Sequence, residues 1–126
     1  MKNQNKFEIK HQANRGIQCL NLEGYLDAHT APKLESAIEE LMKSGFNKIL
    51  VNFQDLDYIS SAGLGVFMAF IEEIRESGGD IKLTSMKSKI FSVFDLLGFP
   101  ILFDIETNDE SAIAKFLKND LRKNEE

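Results

Sequence analysis

Two adjacent serines, Ser60 and Ser61, occupy the place in this chain best suited to chemistry, where an apolar run gives way to a helical pattern. Ahead of them, Ile49-Leu50-Val51-Asn52-Phe53 reads as a buried strand. Behind them, Leu64, Phe67, Ile71 and Ile74 recur at helical spacing and give one apolar face, and Gly78-Gly79 supplies the stop. The N-terminus of such a helix offers unpaired N–H groups and a partial positive charge. One use of these is internal, with a serine oxygen capping the first turn. The other is external, because the same groups accept an anion such as a phosphate carried on serine. The two uses are compatible if one serine caps and its neighbour is modified.

Other chemistries fit the residues poorly. Gly63-Leu64-Gly65-Val66-Phe67-Met68 begins like a dinucleotide-binding fingerprint, but Met68 stands where the third glycine belongs and the run falls inside the helical pattern. No Gly-Lys-Ser/Thr sequence is present, so hydrolysis of ATP through a P-loop is not expected. A nucleophile elbow also places a serine on a strand-to-helix turn. Ser61 lacks the Gly-x-Ser-x-Gly flanks, however, and His29 reaches it only if two loops meet. Cys19 is alone, so no internal disulfide or cysteine metal cage can form; in an expected strand it behaves as a small buried hydrophobe. His11 and His29 have no cysteine beside them and make no case for a metal site. The expectation is a protein that is not an enzyme and needs no cofactor or metal.

The elements that must position the serines follow from periodicity. Phe7, Ile9 and His11 alternate with Glu8, Lys10 and Gln12 as in a half-exposed strand, and Ala13-Asn14-Arg15-Gly16 turns the chain into a hairpin partner over Ile17 to Leu22. Gly24 to Thr30 reads as a loop. Thr30 with Pro32 then marks a helix start, Leu34, Ile38, Leu41 and Met42 supply its apolar face, and Gly45 ends it. Asp27 and His29 thus fall at the carboxyl end of the second strand, where loops of an open α/β sheet carry function. Asp27 is equally well placed as a turn or capping carboxylate.

Lys48 to Phe53 is apolar enough to be covered on both faces, and Asp55 and Asp57 follow in the expected connection to the serine turn. Ile81-Lys82-Leu83 predicts a fourth strand. Ser88 is expected to cap a third helix carrying Ile90, Phe91, Val93, Phe94 and Leu97, which Gly98 ends and Pro100 bars from continuing. Ile101 to Ile105 predicts a fifth strand. Thr107-Asn108-Asp109-Glu110 fits a capping box for a last helix with Ile113, Phe116 and Leu117 turned inward, and Leu121 to Glu126 is expected to fray. Strand–helix alternation after an initial hairpin predicts an α/β fold: a mixed, mostly parallel five-stranded sheet with four helices.

At 126 residues the expected organisation is a single domain over 1–126, with a core of about 7–117 and a charged tail over 118–126. The net charge of −5 disfavours a grip on nucleic acid or on an anionic membrane, so a regulatory role would act through another protein. The polar start, Met1 to Lys6, has no apolar segment behind it, and no apolar stretch is long enough to span a bilayer; the cytoplasm is the expected location.

Asp55-Leu56-Asp57-Tyr58-Ile59-Ser60-Ser61-Ala62-Gly63-Leu64-Gly65-Val66 resembles the signature loop of STAS domains, and within them of the bacterial anti-sigma factor antagonists. Three further pieces match in order: Gly24-Tyr25-Leu26-Asp27, Phe94-Asp95-Leu96-Leu97-Gly98-Phe99 and Asn108-Asp109-Glu110-Ser111-Ala112. The likeness runs from about Phe7 to Leu117.

The resemblance implies a single STAS-type domain that works as a partner switch and is monomeric when free. Unmodified, it would sequester an anti-sigma factor that is itself a serine kinase, and so free a sigma factor. The kinase would phosphorylate and release it, and a serine phosphatase would reset it. Alignment of Ser-Ala-Gly-Leu-Gly on the family pattern places the acceptor at Ser61, with Ser60 the alternative; the family commonly has Asp where this chain has Ser60. The partner-binding residues would be Asp27, Asp55, Asp57, Ser60, Ala62, Gly63 and Leu64. The alternative is a non-phosphorylated adaptor or ligand-sensing module of the same fold, whose binding would be indifferent to substitution of the serine.

Overall fold

The computed structural model describes residues 6–125, with the side chains of residues 6–121. The expected polar start over residues 1–5, and Glu126, lie outside them. Five strands form one sheet in the order β1-β2-β3-β4-β5. β1 (Phe7–Asn14) and β2 (Ile17–Leu26) are an antiparallel hairpin closed at Arg15 and Gly16, both at positive φ. β3 (Lys48–Ile59), β4 (Asp80–Thr84) and β5 (Ile105–Glu106) add parallel to β2, one after another.

The helices are α1 (Ala31–Lys43), α2 (Ser61–Glu76), α3 (Ser88–Leu96), the single turn α4 (Phe99–Leu102) and α5 (Asp109–Glu125). One core lies between the sheet and α1–α4. It takes Leu20, Leu22 and Leu26 from β2 and Val51, Phe53, Leu56 and Ile59 from β3. Phe53, Phe67 and Phe94 pack ring on ring at its centre with centroids 5.4–6.3 Å apart. A smaller core on the other face joins Ile17, Cys19 and Leu50 to Ala112, Ile113 and Phe116 of α5. The strands covered on both faces are those that read as continuous apolar runs.

The structure departs from the sequence expectation in four places, the first being that β2 runs past Leu22 to Leu26, so Gly24 to Leu26 are strand rather than loop. β3 does not end at Phe53 but runs to Ile59, so Asp55 and Asp57 lie in a strand rather than a connection. The extension carries two bulges. Asn21 pairs with Asn52 but Glu23 with Asp55, and Gly24 pairs with Leu56 but Tyr25 with Tyr58. Each bulge shifts the alternation by one residue, which hides the strand from a period-two reading.

The predicted strand over Ile101 to Ile105 is instead the turn α4 followed by a two-residue β5. Gly98, at φ 78°, lets the chain reverse out of α3, and Pro100 sits in the first turn of α4, where its missing N–H costs nothing. Phe99 and Phe103 are then four residues apart on one helical face and stack at 5.3 Å. The four helices expected are α1, α2, α3 and α5, and α4 is a single added turn. Finally, the residues expected to fray continue α5 to Glu125, so 118–125 extend a helix rather than form a tail.

Two smaller differences concern caps. Ser88 is the first residue of α3 and Lys87 occupies its N-cap position. At α5 the cap is the Asn108 side chain, whose oxygen accepts from the Ser111 N–H at 2.9 Å, rather than Thr107.

Candidate functional site

β2 and β3 end side by side, Leu26 paired with Ile59, and the next N–H, that of Ser60, donates to the Leu26 carbonyl at 2.9 Å. Asp27 and the Ser60–Ser61 turn therefore stand next to each other at the carboxyl edge of the sheet. Gly63 makes this juxtaposition possible. A Cβ there would fall 2.8 Å from Leu26 Cγ and 3.0 Å from Ile59 Cγ1, so a side chain would lift the first turn of α2 off the strand ends. Leu64 is buried beneath the same turn. Both residues thus lie under the surface, while Ser61 and Ala62 are exposed on it.

Ser60 holds the N-cap position in extended backbone, and its carbonyl accepts the first helical bond from Leu64. Its side chain does not cap: the hydroxyl oxygen is buried and has no hydrogen-bond partner among the described residues. A buried hydroxyl left unpaired costs about 1–3 kcal/mol. Ser61, the first residue of α2, is exposed, and its hydroxyl has no partner among the described residues. No acidic residue lies in the first turn, so neither a side-chain cap nor a carboxylate quenches the positive end of this 16-residue helix.

Asp27 is built into the start of α1. Its Oδ1 accepts from the backbone N–H of His29 at 2.9 Å and of Thr30 at 3.1 Å, while Thr30 Oγ1 accepts from the Asp27 N–H and donates to the Tyr25 carbonyl. Of the turn and capping roles open at the level of sequence, the turn role is thus realised: Thr30 holds the N-cap position of α1, and the helix has no side-chain cap. The His29 ring makes no hydrogen bond to a described residue, so no serine–histidine pair is formed here.

Asp57 accepts from Lys87 Nζ at 2.6 Å, which ties the end of β3 to the start of α3. That hydrogen bond and the adjacent ammonium hold the exposed Asp57 carboxyl below the usual aspartate range. Asp55 is exposed and has no hydrogen-bond or ion-pair partner among the described residues.

Sequence reasoning missed the aromatic part of this edge. Tyr25 and Tyr58 face each other across β2 and β3 with ring centroids 5.7 Å apart, and both are well exposed. The available signal was two tyrosines each two residues ahead of a site residue, Asp27 and Ser60; without the bulged register nothing paired them. Elsewhere, burial and the Asp109 charge raise the Cys19 thiol pKa, which keeps it protonated and unreactive. No described helix is long and apolar enough to cross a membrane.

A serine turn at the carboxyl edge of a mixed sheet of this topology defines a class: the STAS domain model matches residues 8–112, and the chain belongs to that family. Its relatives narrow the class. An anti-sigma-B factor antagonist of Bacillus subtilis is 28% identical over 106 residues, 84% of this chain and 94% of the relative. BtrV of Bordetella bronchiseptica is 30% identical over 101 residues, 80% of this chain and 87% of its own. In three dimensions, an anti-sigma factor antagonist from Mycobacterium paratuberculosis superposes with TM-score 0.83 at 17% identity, covering 92% and 98% of the two chains. The phosphorylated form of the Bacillus cell fate determinant SpoIIAA gives 0.67 at 22% identity, covering 87% and 98%. At these identities the solved structures speak to the fold alone.

Proposed function

We propose that this chain is an anti-sigma factor antagonist whose partner affinity is set by phosphorylation of Ser61. Unmodified, it sequesters an anti-sigma factor that is also a serine kinase, and a sigma factor is freed. Phosphorylation by that kinase releases it, and a serine phosphatase restores the binding form. The antagonist assignment is supported by the Bacillus subtilis relative; SpoIIAA, which shares the fold, is itself known in phosphorylated and unphosphorylated forms.

One observation carries the choice of acceptor: the Ser60 hydroxyl is buried, whereas Ser61 is exposed at the uncapped start of α2. A kinase must reach the oxygen it phosphorylates, and only Ser61 offers one without rearrangement. The N-terminus of α2 then tolerates the new charge, about −1.5 to −2, because unpaired N–H groups and the helix dipole favour an anion there. Release comes from the partner's side. Two unit charges 4 Å apart near a surface repel by about 4 kcal/mol before further screening. A hundredfold loss of affinity needs about 2.8 kcal/mol. Exposed Ala62, Asp55 and Asp57 and half-buried Asp27 would share the contact surface, and buried Gly63 and Leu64 would hold it in shape.

The test is phosphate transfer. The chain is incubated with ATP and each serine kinase of the anti-sigma type from its own genome, and the modified residue is mapped by mass spectrometry. The phosphate is expected on Ser61, and Ser61→Ala is expected to abolish labelling while remaining folded. Strong labelling of Ser61→Ala at Ser60 would overturn the assignment.

A further inference from the structure

α5 begins over the middle of the sheet, where Asp109 accepts hydrogen bonds from Asn52 at 2.9 Å and Thr84 at 2.6 Å. It runs back toward the start of β3, where Asp120 meets Lys48. The sheet face it covers therefore stops at the row of Asn52 and Thr84, while β2 and β3 continue to Leu26 and Ile59. On that continuation Leu22, Leu26, Leu56 and Ile59 belong to the core on the other side. By alternation Glu23, Tyr25, Asp55 and Tyr58 face the side that α5 leaves open.

This open face is built unlike a merely solvated one. Tyr25 and Tyr58 are 36% and 47% exposed, yet their rings are held against each other at 5.7 Å and 30°. Next to them Glu23 and Asp55 are direct cross-strand partners, a like-charge pair that disfavours the sheet. Lys10 lies 3.7 Å from Glu23 and offsets part of this, but Asp55 has no counter-charge among the described residues. A stacked pair of exposed tyrosine rings with carboxylates beside it matches one side chain in shape and charge. The planar guanidinium of arginine stacks on tyrosine while its N–H fork pairs with a carboxylate; the ammonium of lysine does only the second.

We infer that the Tyr25–Tyr58 platform with Asp55 and Glu23 receives an arginine side chain of the protein partner that also covers the Ser61 turn. The inference rests on the proposed switch for the identity of that partner. The platform and the turn are continuous, because Tyr25 and Tyr58 lie two residues before Asp27 and Ser60. Its chemistry stands on the geometry alone. Charge complementarity then places a basic patch on the partner opposite the end of β2 and β3, beside the surface that the phosphate would repel.

Two measurements test this. In the first, the full chain is titrated at low salt with acetyl-Arg-Arg-Arg-amide and with acetyl-Lys-Lys-Lys-amide while tyrosine ring and backbone NMR signals are followed. The arginine peptide should shift Tyr25, Tyr58 and Asp55 and bind at least about fivefold tighter than the lysine peptide. Asp55→Asn and Tyr58→Ala should each weaken it about fivefold, and Tyr58→Phe, which keeps the ring, should restore it. Equal binding of the two peptides, or shifts centred elsewhere, overturns the inference. In the second, the kinase that labels Ser61 is bound to Tyr58→Ala, with a tenfold loss expected; unchanged affinity in a folded variant also overturns it. If no kinase labels Ser61, the switch falls and the peptide titration still decides the platform.

Discussion

Lys82 and Ser60 each carry a buried polar atom, and the protein treats the two in opposite ways. Lys82 is 1% exposed in β4, beneath α5. Its ammonium donates to Asp80 at 2.9 Å and Asp104 at 2.6 Å and lies 4.8 Å from the centre of the Phe116 ring. Arg75 reaches Asp80 at 3.0 Å, and Lys115 reaches Asp104 at 3.7 Å, so the carboxylates are themselves held. Ser60 has no such company: its hydroxyl is buried with no partner among the described residues, beside an uncapped helix end and an exposed serine. The buried charge is closed on itself and belongs to the fold. The unsatisfied group lies under the surface proposed to meet the partner, and leaving it unpaired costs stability there.

The largest effect should come from opening the closed region. Asp80→Asn combined with Asp104→Asn strips Lys82 of both carboxylates and should cost about 3–5 kcal/mol in denaturant unfolding, since an uncompensated buried charge remains. Ser60→Ala removes a group that has no bond to lose, so its stability should be unchanged or higher by up to about 1 kcal/mol. Equal losses in the two variants would erase the distinction.

The two glycines of the first turns of α2 come next. Gly63→Ala should destabilise by about 1–3 kcal/mol through overpacking against Leu26 and Ile59. Gly65→Ala meets nothing within 4 Å and should stabilise the helix by about 0.5–1 kcal/mol. Thermal unfolding of the pair reads both signs.

Asp27→Ala loses two hydrogen bonds in the turn that leads into α1, about 1–2 kcal/mol. If Asp27 also meets the partner, binding should fall by more than this. A binding loss no larger than the stability loss would leave it with the turn role alone.

The smallest effect is acidic. Burial pushes the Asp104 carboxyl up, but the Lys82 hydrogen bond and the charges of Lys82, Lys115 and Arg75 outweigh it and leave the pKa lowered. A lowered carboxylate contributes stability above its unfolded pKa, about 3.9, and that contribution is lost as pH falls through the folded value. The closed region should therefore hold its stability from neutral pH to about pH 4 and lose it below. Asp104→Asn should flatten that part of the profile.

Much of this comparison is readable in the sequence because apolar periodicity reports burial. The hairpin, the runs of β3 and β4, and the inward faces of α1, α2 and α5 all follow from it. So does the convergence of Asp27 with the serine turn, since both follow strands of a parallel pair. What failed to show depends on register or on tertiary partners. The bulges at Gln54 and Asp57 broke the alternation that would have extended β3, and so hid the Tyr25–Tyr58 pair. Ile101 and Leu102 read as strand by composition, but at 88% and 44% exposure they are the outer face of a turn anchored by Phe99 and Phe103. Lys82, flanked by Ile81 and Leu83, gave no hint that its charge is buried, because Asp104 comes from a distant segment. Ser60 read as a capping serine by position, and only coordinates separate an N-cap residue from a side chain that caps.

The most direct test of the central claim is Ser61→Asp studied by NMR and by binding to the cognate anti-sigma factor. A charge placed on the open end of α2 needs no rearrangement, because the helix N-terminus accepts it. Affinity should fall by about a hundredfold, which is about 2.8 kcal/mol. Backbone shifts should change only around the Ser60–Ser61 turn and its neighbour Asp27, while Ser61→Ala binds like the unmodified chain. Shift changes reaching α5 or the Lys82 network would mean that the switch is conformational and would contradict the division between a closed region and an open one.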